Sequence, residues 1–96
     1  MADIGNIGIY DIDTDGEYVK FSEITDVVFE VGVVYTIQAQ TYLPVYLVAK
    51  GVVPDPNEGF KLLDTHVMNY THEEGKDLWV KTTKPLIGKT YINIAM

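Results

Sequence analysis

From Tyr35 onward the chain alternates apolar and polar residues in short runs separated by turn-rich segments. The runs are Tyr35-Thr-Ile-Gln-Ala-Gln40, Pro44-Val-Tyr-Leu-Val-Ala-Lys50, Leu78-Trp-Val-Lys81 and Tyr91-Ile-Asn-Ile-Ala-Met96. A period of two places successive side chains on opposite faces, so each run reads as a strand with one buried face. In the Tyr35 run, Tyr35, Ile37 and Ala39 share one face and Thr36, Gln38 and Gln40 the other. Phe60-Lys-Leu-Leu63, His66-Val-Met-Asn-Tyr70 and Thr90–Ala95 add further strands, and Gly75 turns the chain ahead of Leu78. No segment shows the periodicity of a helix of two turns. The pattern predicts an all-β fold, a small antiparallel β-sandwich or barrel of the jelly-roll or immunoglobulin-like kind.

Earlier in the chain, Ile7–Ile12 and Glu17–Phe21 flank Asp13-Thr-Asp-Gly16, a turn spelling in which Gly16 supplies a positive φ. The two runs are expected to pair as an N-terminal hairpin. Ile24–Glu30 is rich in β-branched residues and reads as extended, with Gly32 marking a bulge or bend before the next strand. Thr41-Tyr-Leu43 is short, so the strands on either side of it are expected to pair antiparallel. Gly51–Gly59 contains Pro54-Asp-Pro-Asn57 and forms a stiffened, exposed loop, the best candidate for a contact segment.

With 96 residues, one domain is expected (1–96), divided into an N-terminal arm and hairpin (1–30) and a sandwich core (31–96). The chain has no cysteine, which excludes disulfides, thiolate metal sites and a cysteine nucleophile. Its first residues lack the pattern of a signal peptide and no apolar run reaches membrane-spanning length, so a soluble protein made in the cytosol is expected. A net charge of −7, with seven lysines and no arginine, argues against nucleic acid and anionic membranes as partners.

The sharpest chemical motif is Asp11-Ile-Asp13-Thr-Asp15-Gly16, whose alternate carboxylates could converge on Ca²⁺. Ser22 stands where a helix-loop-helix calcium loop needs a bidentate glutamate, and Val19 at its ninth position, so the candidates are an acidic solvated turn or a weak hairpin calcium site. His66 and His72 lie six apart near Glu73-Glu74, without a third ligand at a familiar spacing. No Gly-x-Ser-x-Gly elbow or phosphate-binding glycine loop occurs. A non-enzyme without a cofactor is therefore expected. An enzymatic alternative, with His66 as base, would need a pocket that the sequence does not advertise.

Eleven aromatic residues, seven of them tyrosine, are divided between core and surface, with Trp79 expected inside. Tyr42, Tyr46 and Tyr70 are candidates for an outward interface, together with Pro54 and Pro56 of the contact loop.

The order Tyr35-Thr-Ile-Gln-Ala-Gln, Pro44-Val-Tyr-Leu-Val, Pro54 with Gly59-Phe60, and Leu78-Trp-Val-Lys81 resembles small bacteriophage virion proteins. The resemblance implies a structural subunit, a capsid decoration or cement protein or a head- or tail-associated component. Such a subunit would be homo-oligomeric, bound to other virion proteins and located in the virion. Met1–Gly5 would be an arm that orders on a neighbour. The alternative is a calcium-stabilised adhesion or carbohydrate-binding β-module, with Asp11, Asp13 and Asp15 holding the ion.

Overall fold

The computed structural model describes residues 6–41, 44–83 and 90–95. Eight strands and one helical turn occur among them: β1 (Asn6–Asp11), β2 (Val19–Lys20), α1 (Phe21–Ile24), β3 (Val34–Thr41), β4 (Val45–Lys50), β5 (Phe60–Leu62), β6 (Val67–Thr71), β7 (Asp77–Thr82) and β8 (Thr90–Ala95). They form two four-stranded antiparallel sheets, sheet A in the order β1-β8-β3-β6 and sheet B in the order β2-β7-β4-β5. The sheets pack as a sandwich, not a closed barrel.

The pairings are nested. β1 pairs β8, β2 pairs β7, β3 pairs β6 and β4 pairs β5, so the chain is one long ribbon with Gly51–Gly59 at its tip. Rolling the ribbon over itself lays β3 against β8 and β4 against β7, which completes both sheets. This is a jelly roll. Its core follows from the period-two pattern: Tyr35, Ile37 and Ala39 from β3, Val45 and Leu47 from β4, Leu78 and Val80 from β7, and Ile92 and Ile94 from β8 are buried in one cluster.

Two expected pairings are corrected. The N-terminal hairpin does not form, because β1 and β2 belong to different sheets. The Asp13–Gly16 turn is present, with Gly16 at φ 83° and Asp15 at φ 55°, but it carries the chain from one sheet to the other. Ile12 N–H continues the β1 ladder by donating to Thr90 O at 2.8 Å, while Thr14 turns to Thr82 on β7. Splitting the two runs lets Ile12 and Phe21 enter the core from opposite layers, so the described residues before 31, from β1 onward, are part of the sandwich. A two-stranded hairpin would have buried one face only.

Likewise β3 and β4 lie in different sheets, and the short link between them is a crossover. Thr41-Tyr-Leu-Pro44 contains none of the Gly, Asn or Asp residues that a tight hairpin turn demands. The crossover allows the inward faces of both strands to bury each other. Ile24–Glu30 is not a strand either. It begins in α1 and continues irregularly, its backbone groups taken by side chains: Thr25 Oγ1 accepts from Val27 N–H at 3.3 Å, and Tyr35 Oη from Glu30 N–H at 2.7 Å.

Candidate functional site

The outer face of sheet B, beneath the tip of the ribbon, gathers the site. On β7 the residues Leu78, Val80 and Thr82 point into the sandwich, which turns Trp79 and Lys81 outward. The register sets Lys81 opposite Tyr46 on β4, and Tyr46 opposite Lys61 on β5. Tyr18, just before β2, arrives on the other side of Lys81. The Lys81 ammonium therefore lies 4.8 Å from the centre of the Tyr46 ring and 5.2 Å from that of Tyr18, and donates to Pro56 O at 2.5 Å. Such cation–π contacts and a carbonyl acceptor hold a long side chain in one place.

The Pro54–Gly59 loop is fastened from several directions. Glu58 N–H donates to Asp55 O at 3.0 Å, and Glu58 Oε1 accepts from Asp55 N–H at 3.2 Å and from the Lys50 ammonium at 2.6 Å. The Lys50 hydrogen bond, followed by that from Asp55, holds the Glu58 carboxyl below the ordinary carboxylate range. Tyr18 Oη donates to Glu58 O. Burial, then the Glu58 charge and Tyr46, raise the Tyr18 phenol above its ordinary value, so it remains a neutral donor. The preceding turn is pinned by a reciprocal pair: Thr14 N–H donates to Thr82 Oγ1 at 3.0 Å and Thr82 N–H to Thr14 Oγ1 at 2.8 Å.

Lys81 divides two hollows. One, of about 380 Å³, lies among Glu17, Tyr18, Val53, Pro54, Pro56 and Lys81. The other, of about 280 Å³, lies among Tyr46, Pro56, Asn57, Glu58, Gly59 and Lys81. Both are open and shallow, a shape that admits side chains of a partner more readily than it encloses a small molecule.

The structure thus brings together three of the five residues that the sequence nominated for an interface, Tyr46, Pro54 and Pro56. Within this group Pro54 is a correction, since it is buried while Pro56 is exposed. Tyr42 lies outside the described residues, as does the Met1–Gly5 arm. Tyr70 is a second correction: it is 5% exposed, because β6 turns it inward beside Tyr35, with Phe29 packed edge-on at 5.3 Å. Its Oη pairs with His72 Nδ1 at 2.5 Å, and burial, followed by Asp77 and Glu73, pushes its phenol up to about 12. Trp79 is buried as expected, but on the outer side of sheet B, where Nε1 donates to Lys50 O at 2.9 Å and the Lys20 ammonium sits 5.7 Å from the ring.

Asp11, Asp13 and Asp15 do not converge, and no group of three His, Cys, Asp or Glu side chains among the described residues could hold a metal ion. Asp13 Oδ1 instead accepts from Asp15 N–H at 3.0 Å, closing the turn. His66 Nδ1 accepts from Leu63 N–H at 3.1 Å in an exposed turn. A smaller hollow, of about 200 Å³, places Ser22, His72 and Asp77 around one opening, but no hydrogen bond joins them and His72 Nδ1 is engaged by Tyr70. That set lacks the nucleophile–base contact of a triad.

Sequence reasoning missed Lys81, Tyr18 and Glu58. The alternation of Leu78-Trp-Val-Lys81 was enough to place Lys81 on the face opposite Val80, but the arrival of Tyr18 depends on the rolled topology. No model of a known protein family matches the chain, and neither curated proteins nor solved structures provide a match.

Proposed function

We propose that this protein is a structural subunit that works by docking onto other proteins, in the manner of a small virion component of the decoration, cement or head–tail type. One observation carries the reading: the ribbon tip and three strands of a jelly roll fix Tyr18, Tyr46, Lys81 and Pro56 into a preorganised aromatic and cationic pad on an exposed sheet face. Tyrosines ordered in advance lose little freedom on binding, which is why such pads suit protein interfaces. The jelly roll supports the reading by analogy, since viral capsid domains use it, although lectin domains and cupins do as well. Many identical weak contacts across a symmetric shell would add to high avidity. Co-sedimentation with phage particles or procapsids tests the proposal. The protein should pellet with particles, and Tyr46→Ala should release it while the variant still unfolds in one cooperative thermal transition. Failure of the unaltered protein to pellet with any particle would sink the reading.

A second reading, a carbohydrate-binding module, draws on sheet A. Its outward positions include Thr36, Gln38, Gln40, Asn69, Tyr91 and Asn93, polar groups without charge. Asn93 Oδ1 is covered and has no hydrogen-bond partner among the described residues. Amides, hydroxyls and a ring are the chemistry that meets a neutral sugar. Affinity electrophoresis through polysaccharide gels separates the two readings, because retardation lost on Tyr91→Ala and Gln38→Ala would favour this one.

A further inference from the structure

The outer face of sheet B carries Lys20, Lys50, Lys61 and Lys81, four of the seven cations in a chain of net charge −7. Two of the four are neutralised, Lys50 by Glu58 at 2.6 Å and Lys20 by Asp77 at 3.4 Å. Lys61 and Lys81 have no carboxylate partner among the described residues, and both flank Tyr46. Lys81 is also held in place. Of the three N–H donors of its ammonium, Pro56 O takes one, and the ring faces of Tyr18 and Tyr46 leave hydrogen-bonding capacity unused.

We infer that this face receives a carboxylate-bearing segment of a partner protein, with an Asp or Glu side chain on Lys81, a second acid near Lys61, and the intervening chain laid over Tyr46 and Pro56. The inference rests on the docking reading above and specifies the chemistry of the partner. Charge selects it. Two lysines of the face, Lys61 and Lys81, are left as separate ammonium points without a carboxylate partner among the described residues, Lys81 between two shallow hollows, one of which Glu17 also lines, and each ammonium can take one carboxylate. The rest of the surface is strongly acidic. A long phosphate or sulfate polymer running off the patch would meet that repulsion within a Debye length of about 8 Å, whereas a partner's local acidic patch need not.

The test is a magnetic-resonance titration of the intact protein with a capped hexaglutamate peptide, alongside hexaglutamine and a heparin oligosaccharide. Hexaglutamate should shift the Tyr18 and Tyr46 ring signals while hexaglutamine does not, and added salt should weaken the effect. Lys81→Met should reduce affinity by about tenfold or more. Lys61→Glu, on an exposed strand edge away from the core, should also weaken binding while leaving the melting temperature unchanged, so the test stands even if Lys81→Met unfolds.

Absence of any Tyr18 or Tyr46 shift would overturn the inference, and if particle binding persisted the docking reading would survive it. Conversely, hexaglutamate binding without particle binding would support the acidic partner and remove the virion assignment. Tighter binding of heparin than of hexaglutamate would overturn it in favour of a polyanion. Self-association in sedimentation that Lys61→Glu abolishes would overturn it in favour of a second copy of this chain.

Discussion

Gly59 holds φ at +109°, and a Cβ there would collide with the Tyr18 hydroxyl and come within 3.2 Å of Leu47 O. Both the dihedral and the space require glycine. Gly59→Ala is therefore expected to cost about 1–3 kcal/mol in denaturant unfolding. Part of that cost should disappear in a Tyr18→Phe background, because removing the hydroxyl relieves the nearer collision, and a double-mutant cycle reads the coupling. Strictly additive effects would show that the Tyr18 approach is not what constrains the loop. Tyr70 gives a second expectation at this scale. Its phenol ionises at about 12 in the folded protein, while an unfolded tyrosine ionises near 10. Between those values the unfolded chain binds fewer protons, so stability is intact below pH 10 and falls as pH rises towards 12. Tyr10 and Tyr18, also raised by burial, add to the decline. Tyr70→Phe should make the pH dependence of the melting temperature shallower in this window, at the cost of the His72 hydrogen bond at neutral pH. An unchanged alkaline slope would count against it.

Among the elements, strand β7 shows most clearly what the sequence could and could not disclose. Its alternation marks Val80 and Thr82 as inward and Lys81 as outward without knowledge of any neighbour. Period two is a local property of the backbone, so most strands were legible. Partner choice was not, because β7 lies between β2 and β4, and which strands flank it depends on how the whole ribbon rolls. The same gap explains the missing hairpin at Asp13–Gly16: a turn signal states that the chain reverses, not that its flanks hydrogen-bond to each other. β2 has only two residues, inside the Glu17–Phe21 run that reads as a strand, and nothing in that run names β7 as its partner. The candidate site was half legible for this reason, Tyr46 and Pro56 from exposure and composition, Tyr18 only from topology. The Thr14–Thr82 pair, which brings the Tyr18 turn to β7, was invisible in a sequence where its members stand 68 residues apart. Thr82→Val keeps the shape of that side chain but leaves the Thr14 N–H buried without its acceptor. The expected loss is about 1–3 kcal/mol, measured by denaturant unfolding. Thr14→Val in addition should not restore it, because both bonds run to backbone donors that no side-chain change removes. Recovery in the double variant would contradict the reciprocal arrangement.

For the molecule as a whole, the nested ribbon makes stability depend on its two ends meeting. β8 lies between β1 and β3, so its backbone serves ladders on both sides, and Thr90, Ile92 and Ile94 are each at most 1% exposed. Two buried isoleucines alone represent about 3–6 kcal/mol of transfer free energy, a large share of the total stability of a small domain. Removing the strand also strips β1 of the partner that holds it and opens the core beneath sheet B. No cysteine exists to staple the remainder. A chain ending before Thr90 is therefore expected to lose its cooperative thermal transition. A synthetic peptide of the β8 sequence, added in excess, should restore it through strand addition with a midpoint that rises with peptide concentration. The ribbon tip, Tyr46 and Lys81 are all present in the shortened chain, so hexaglutamate binding should vanish and return together with the transition. If the shortened chain kept a sharp transition without peptide, the core would not depend on the closing strand, and the pad would rest on β4, β5 and β7 alone.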